Sequence, residues 1–285
     1  MSVGQVFPEQ YSSQLATKVE QVQQLLAEFA APAAEVFASA PEHYRLRAEF
    51  RIWHNGDDIY HAMFDSETRD KVRIDYFPVA CNTIADFMPV LLKHIQFNHE
   101  LRYKLYQVDY LATLSGELLV SLIYKRPLTN SWLEQARSLT DALAGQYNVK
   151  FIGRSRKQKL MVSNDYVTEQ FELDGANLRY QQVEGSFTQP NGEVNRKMLG
   201  WAKQIASGLS GDFLELYCGN GNFSIALAEC FNQVVATEIS RTSIKSAQYN
   251  IALNNVDNLQ VLQMSAEDVA AALQQGTQLK QLDLA

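Results

Sequence analysis

Asp212-Phe213-Leu214-Glu215-Leu216-Tyr217-Cys218-Gly219-Asn220-Gly221-Asn222-Phe223-Ser224-Ile225-Ala226-Leu227-Ala228 reads as a short strand, a glycine-punctuated loop and the opening of a helix. Phe213, Leu214 and Leu216 form a compact apolar run of the kind that a parallel sheet buries. Gly219 and Gly221 permit a tight turn and close approach of the backbone to a ligand. Phe223, Ile225, Ala226, Leu227 and Ala228 then supply an apolar helix whose first N–H groups point back at the loop. Seventeen residues past Gly221, the run Val234-Val235-Ala236-Thr237 ends in Glu238. An acidic residue at the end of the second strand is what Rossmann-like sites use to bind ribose hydroxyls.

Cys218-Gly219-Asn220-Gly221-Asn222 departs from the dinucleotide fingerprint, because only G-x-G is present and no third glycine follows. A pyrophosphate cradle is therefore disfavoured relative to a site for a nucleoside without phosphates. S-adenosylmethionine (SAM), a ribose, an adenine and a charged amino acid, meets that description. The alternative is an ordinary βα turn followed by an incidental Glu.

At 285 residues, two domains are expected, each able to bury a core. A hydrophobic fraction of 46% and a charged fraction of 20% are those of a globular protein. No segment approaches the run of about 18 apolar residues that a membrane span needs, and the N-terminus is too polar for a signal peptide. Cys81, Cys218 and Cys230 are odd in number and lack metal-ligand spacing, which points to a reducing cytoplasm without disulfides. His43, His54, His61, His94 and His99 show no convincing ligand pairing, so no metal is expected. Cys218 has no neighbouring His or Lys to activate it and reads as a packing or cofactor-contact residue rather than a nucleophile.

The net charge of −7 is unevenly spread. Lys150, Arg154, Arg156, Lys157 and Lys159 crowd ten positions, with smaller basic groups at Arg69-Lys71-Arg73, Arg102-Lys104 and Lys125-Arg126. Such a strip can steer a polyanion locally, and it can equally be a solvated surface. Helical spacing of Leu15, Val19, Val22, Leu25, Leu26 and Phe29 predicts an amphipathic helix over 10–29. From His43 to His54 the pattern alternates, with Leu46, Ala48, Phe50 and Ile52 on one face and Arg45, Arg47, Glu49 and Arg51 on the other. Asn55-Gly56 signals a hairpin into a second strand over 58–64, and a third strand is expected over 71–77. Helices over 83–94 and 132–143 and strands over 106–113, 118–124, 149–152 and 159–162 complete a mixed α+β half.

Phe187-Thr188-Gln189-Pro190 precedes an amphipathic helix over 194–206 that leads into the opening stretch. Together with Leu214-Glu215-Leu216-Tyr217-Cys218-Gly219-Asn220-Gly221-Asn222-Phe223-Ser224 and Ala236-Thr237-Glu238, it resembles the SAM-dependent RNA uracil-5-methyltransferases. His43-Tyr44-Arg45, Arg47-Ala48-Glu49-Phe50-Arg51-Ile52-Trp53 and Gly56-Asp57-Asp58 resemble the tRNA branch in particular. The resemblance implies an N-terminal mixed α+β RNA-binding domain over 1–180 and a Rossmann-like SAM-dependent methyltransferase domain over 181–285. It implies a SAM site lined by Gln189, Tyr217, Asn222, Glu238 and the Gly219–Gly221 loop. For RNA contact, Arg45, Arg47 and Arg51 can reach phosphates and Tyr106 can stack on a splayed base; a salt-bridge lattice with Glu49 explains the arginines equally well. The implied partner is the tRNA T-arm, with C5 methylation of uridine 54 in its T-loop.

That chemistry uses a cysteine thiolate that adds to uracil C6, after which C5 takes the methyl group and a base removes the C5 proton. In the family, the nucleophile sits in a Ser-Cys-Asn-Pro-like segment, the base is a Glu near the C-terminus, and an Asp-Pro-Pro-Arg segment helps close the site. None of the three occurs in these 285 residues. The sequence runs to Leu282-Asp283-Leu284-Ala285 with about half of a doubly wound sheet laid down, hence incomplete. The expectations are a chain that does not complete methyl transfer and an exposed sheet edge that favours association. A tRNA-binding or remodelling module without chemistry, and methylation of ribosomal RNA, are the alternatives.

Overall fold

The computed structural model describes residues 3–275, so the 282–285 end lies outside the described residues. The chain divides into two compact units. One comprises Met1–Ala112, Leu118–Asn164 and Pro190–Val194, the other Thr113–Glu117, Asp165–Gln189 and Asn195–Ala285. The boundary expected at 180/181 falls within the stretch Asp165–Gln189 of the second unit. The hairpin that spans it belongs to the second unit, held there by side-chain bonds that local sequence does not announce.

The first unit contains α1 (Tyr11–Leu26), β1 (Arg47–Asn55), β2 (Asp58–Phe64), β3 (Lys71–Ile74), α2 (Asn82–Ile95), α3 (His99–Arg102), β4 (Leu105–Ala112), β5 (Glu117–Tyr124), α4 (Asn130–Leu143), β6 (Asn148–Ser155) and β7 (Gln158–Met161). Its sheet has the order β3-β2-β1-β4-β5-β6-β7. The alternation predicted for β1 is realised: Leu46, Ala48, Phe50 and Ile52 are all buried. Asn55 pairs with Asp58 across the expected turn. Phe87, Met88 and Leu91 of α2 and Trp132 and Ala136 of α4 are fully buried. Gly153 of β6 is where the sheet meets α4, since a Cβ there would lie 2.6 Å from the Trp132 ring. The third strand ends at Ile74, short of 77. Phe77 turns in instead, its ring centroid 5.1 Å from that of Phe50. One expectation fails in part: α1 forms, but none of its residues is buried, and Leu25 and Phe29 are 71% and 70% exposed. Periodicity specifies an apolar face but not whether anything covers it.

The second unit contains the antiparallel hairpin of β8 (Tyr166–Leu173) and β9 (Ala176–Val183). It also contains most of α5 (Gly192–Ala206), and then β10 (Phe213–Leu216), α6 (Asn222–Leu227), β11 (Val234–Glu238), α7 (Arg241–Leu253), β12 (Leu259–Gln263) and α8 (Ala266–Gln275). Strands β10, β11 and β12 form a parallel sheet in that order, with Glu215 opposite Ala236 and Ala236 opposite Val261. The sheet is covered on both faces, which is why its strands are apolar runs. Val234, Ala236 and Leu259 pack with Ile225, Ala226 and the hairpin's Phe171 and Tyr180. Val235 packs with Val269 of α8. The chain is thus α/β, with a Rossmann-like βαβαβ arrangement following a mixed α+β unit.

Asn250 of α7 and Asn254, the residue just past its end, fasten β9 to that helix. Asn250 Oδ1 accepts from the Gln181 N–H at 2.7 Å, and Asn254 Oδ1 accepts from the Arg179 N–H at 2.9 Å. Asn254 Nδ2 returns a bond to the Arg179 carbonyl at 2.7 Å. These bonds satisfy backbone groups that an edge strand would otherwise leave open.

Candidate functional site

Strand β10 ends in a loop whose shape follows from its residues. Cys218 N–H donates to the Thr237 carbonyl at 3.0 Å, the last ladder bond, and Gly221 N–H closes a turn on the Cys218 carbonyl at 2.9 Å. Gly219 and Gly221 have φ of +58° and +85°, and Tyr217 has φ of +58°. Glycine adopts this left-handed region freely, whereas Tyr217 is held there at a cost of about 1 kcal/mol or more.

Beside the loop lies a cavity of about 210 Å³, wholly within the second unit and lined by Gln189, Tyr217, Gly219, Asn220, Asn222, Phe187, Gln182, Asn195, Glu215 and Glu169 among others. Of the residues predicted for the cofactor, Gln189, Tyr217, Gly219 and Asn222 are brought together on its wall. Gly221 lies in the turn behind, where its missing Cβ leaves room for Ile225, whose Cδ1 would be 3.0 Å away. Glu238 does not line the cavity. Its Oε2 accepts the Gly219 N–H at 3.0 Å, and its Oε1 accepts the N–H groups of Ile239 and Ser240, both at 2.8 Å. The carboxylate therefore shapes the glycine loop from the end of β11.

The side chain of Asn222 is paired with Asn195. Each amide donates to the other's oxygen, at 2.8 and 3.1 Å. Gln189 makes no hydrogen bond among the described residues, and its amide is free to bind. Gln182 Oε1 is buried without a hydrogen-bond partner among the described residues, and Gln182 lines the same cavity. A buried acceptor left open costs stability unless something fills it. An orphaned acceptor, a free amide, an exposed aromatic ring and a loop with two glycines fit a nucleoside carrying a polar amino acid.

Electrostatics separate the site's groups. Burial raises the Glu215 carboxyl above its usual range, against hydrogen bonds from Ser224, whose hydroxyl donates to it. Burial, with the Glu215 and Glu238 charges adding to it, pushes the Cys218 thiol up to about 12. A thiol shifted in this direction disfavours the reactive thiolate form. Among the described residues no group of three His, Cys, Asp or Glu is arranged to hold a metal, and no helix is long and apolar enough to cross a membrane.

Glu215, Asn195, Gln182 and Glu169 were not legible as site residues. A charge inside the apolar run of β10 was the available signal for Glu215. Glu169 gives no sequence signal at all: its carboxylate accepts from the N–H groups of Leu114 and Ser115, more than fifty residues away.

In the first unit, Arg51 and Tyr106 do meet. The Arg51 guanidinium lies 4.1 Å from the Tyr106 ring centroid, and Lys125 Nζ lies 3.7 Å from it. Arg51 also donates to Gln107 Oε1. Arg47 is paired with Glu49 at 3.2 Å, and Arg45 Nε donates to the Arg47 carbonyl at 2.9 Å. The lattice alternative thus describes Arg47, while Arg51, Tyr106 and Lys125 form a cation–aromatic cluster. The dense basic run falls on β6, its turn and β7.

The profile of the tRNA (uracil-5-)-methyltransferase family matches residues 10–284. A tRNA/tmRNA (uracil-C(5))-methyltransferase of Vibrio atlanticus is 49% identical over 282 residues, covering 99% of this chain and 76% of that protein. The protein of the same name from Shewanella loihica is 51% identical over 283 residues, covering 99% and 78%. Among solved structures, the tRNA (uracil-54, C5)-methyltransferase of Pyrococcus abyssi in complex with S-adenosyl-L-homocysteine superposes with a TM-score of 0.62 at 19% identity. The match covers 88% of this chain and 63% of that one, and it bears on the fold. On the extent of the profile match and the identity to these relatives, the chain belongs to the tRNA (uracil-5-)-methyltransferase family.

Proposed function

We propose that this chain binds SAM beside the 217–222 loop and takes part in C5 methylation of a uridine in tRNA, or in tmRNA, uridine 54 of the T-loop being the target in tRNA. The observation that carries the reading is the cavity at the end of β10, where Gln189, Tyr217 and Asn222 surround a glycine loop and a buried Gln182 oxygen has no partner. SAM supplies an electrophilic methyl group when bound. Gln189 offers donor and acceptor to its carboxylate and ammonium, Asn222 is held by Asn195 to do the same, and Tyr217 covers it. Glu238, already gripping the loop, has about one acceptor site left, on Oε2, for a ribose hydroxyl. Arg51, Tyr106 and Lys125 hold the RNA, with Arg45 and Arg47 beside them, in a cytoplasmic setting.

The cysteine and the base that the resemblance implies are not among these 285 residues. For the chain by itself the reading is therefore binding of cofactor and tRNA without turnover. Calorimetry with S-adenosylhomocysteine and filter binding with an unmodified tRNA transcript test the two halves separately. Incubation with methyl-labelled SAM tests turnover, and label in uracil would overturn the expectation of inactivity.

A further inference from the structure

The cofactor cavity is not the only opening in the molecule. A second one, of about 490 Å³, lies wholly within the first unit. That is well inside the range of roughly 300–1,000 Å³ seen for small-molecule sites. One face of α1 forms a wall, with Tyr11, Gln14, Leu15 and Lys18 following one another at helical spacing. The facing wall is irregular chain that includes Phe37, Ser39 and Tyr44. Specific bonds hold the walls together. Tyr11 Oη accepts the Ser39 N–H at 2.7 Å, and Ser39 Oγ accepts from Asn191 Nδ2 at 2.6 Å.

The chemistry of the lining selects its occupant. No Asp or Glu lines the cavity, although the chain carries a net charge of −7. The side chains of Lys18, Gln5 and Gln14 make no hydrogen bond or ion pair among the described residues, so one cation and two amides are open to a ligand. Phe7, Tyr11, Phe37 and Tyr44 add aromatic surface. A cationic ligand such as SAM would meet Lys18 with no carboxylate to offset it. An apolar ligand would bury the open amides unsatisfied. A planar heterocycle carrying an anion satisfies all three sets of groups.

We propose that this cavity holds one nucleotide of the RNA substrate, distinct from the base that is methylated. Its base lies against the aromatic side chains, its edge is bonded by Gln5 and Gln14, and a flanking phosphate sits at Lys18. The inference rests on the RNA-binding reading above and adds a site to it. Splayed single-stranded bases are what proteins read by aromatic stacking and amide bonding.

Fluorescence anisotropy with an end-labelled, unmodified tRNA transcript tests it on the full chain. Lys18→Gln, at an exposed position on α1, is expected to weaken binding three- to tenfold and to reduce the slope of log affinity against log salt by about 0.7. Tyr44→Leu is expected to weaken it about fivefold or more. S-adenosylhomocysteine affinity should be unchanged in both. Affinity within twofold of the parent and an unaltered slope in Lys18→Gln would overturn the proposal while leaving the cofactor reading intact. Absence of tRNA binding by the parent chain would overturn it together with the RNA half of the proposed function. Uridine monophosphate titrated in parallel separates a free-nucleotide site: its loss in Lys18→Gln with tRNA affinity retained would also overturn the proposal.

Discussion

Replacing Glu238 tests the cofactor site most directly, because the structure gives its carboxylate two tasks. Glu238→Ala removes the acceptor for three backbone N–H groups, at 3.0, 2.8 and 2.8 Å. Hydrogen bonds to charged groups contribute about 1.5–3 kcal/mol each when buried. Two of these three are exposed, so a total near 3 kcal/mol is the working figure. At about 2–4 °C per kcal/mol for a chain of this class, the melting temperature should fall by roughly 6–12 °C. A further loss of about 3 kcal/mol in cofactor binding, on the order of 100-fold in Kd, follows if the carboxylate also holds the ribose diol. Glu238→Gln separates the tasks. Its amide oxygen can keep the bonds to Ile239 and Ser240, while its NH₂ faces the Gly219 N–H and loses that one bond. It should cost about 1 kcal/mol of stability and still weaken S-adenosylhomocysteine tenfold or more. Thermal denaturation and isothermal calorimetry read the two quantities independently. If both variants melt early and bind S-adenosylhomocysteine within twofold of the parent, the ribose assignment is wrong and Glu238 is only a brace for the loop.

Two further outcomes test the core of the first unit. His61 is buried, its ring nitrogen 2.7 Å from Tyr110 Oη, and burial lowers its pKa from 6.5 to about 3. Because the folded-state pKa is the lower one, the unfolded chain binds the proton first, and stability falls as pH drops from about 6.5 toward 3. Urea titrations should show a loss on the order of 2 kcal/mol from this group between pH 6.5 and 5; His61→Gln should lack that component, and an identical pH slope in the variant would contradict the assignment. Gly153→Ala would put a Cβ 2.6 Å from the Trp132 ring and 2.8 Å from Leu128 Cδ1. A loss of about 3 kcal/mol by chemical denaturation is expected from this overpacking, and a change below about 0.5 kcal/mol would show that the α4 interface yields easily.

Much of the fold was legible because its causes are local. The alternation over 46–52 fixed which face of β1 is buried, and Asn55-Gly56 set the register of its hairpin. The apolar runs at 213–216 and 234–237 with glycines between them specified a parallel βαβ unit. Each is a matter of side-chain period or backbone freedom within a dozen residues. The position of the loop that carries Tyr217 and Asn222 could be read the same way.

What tertiary structure alone decided depends on residues far apart in the chain. Asn222 meets Asn195 across 27 residues, and Gln181 meets Asn250 across 69. That second set of bonds holds the 166–183 hairpin in the unit of the parallel sheet. Gln182 is thereby buried with an unpaired oxygen, Glu169 is set on the cavity wall, and Glu238 takes up the Gly219 N–H. Sequence period determines which face of an element is apolar. Only the packed chain determines what that face, or a polar group stranded on it, finds to bond with.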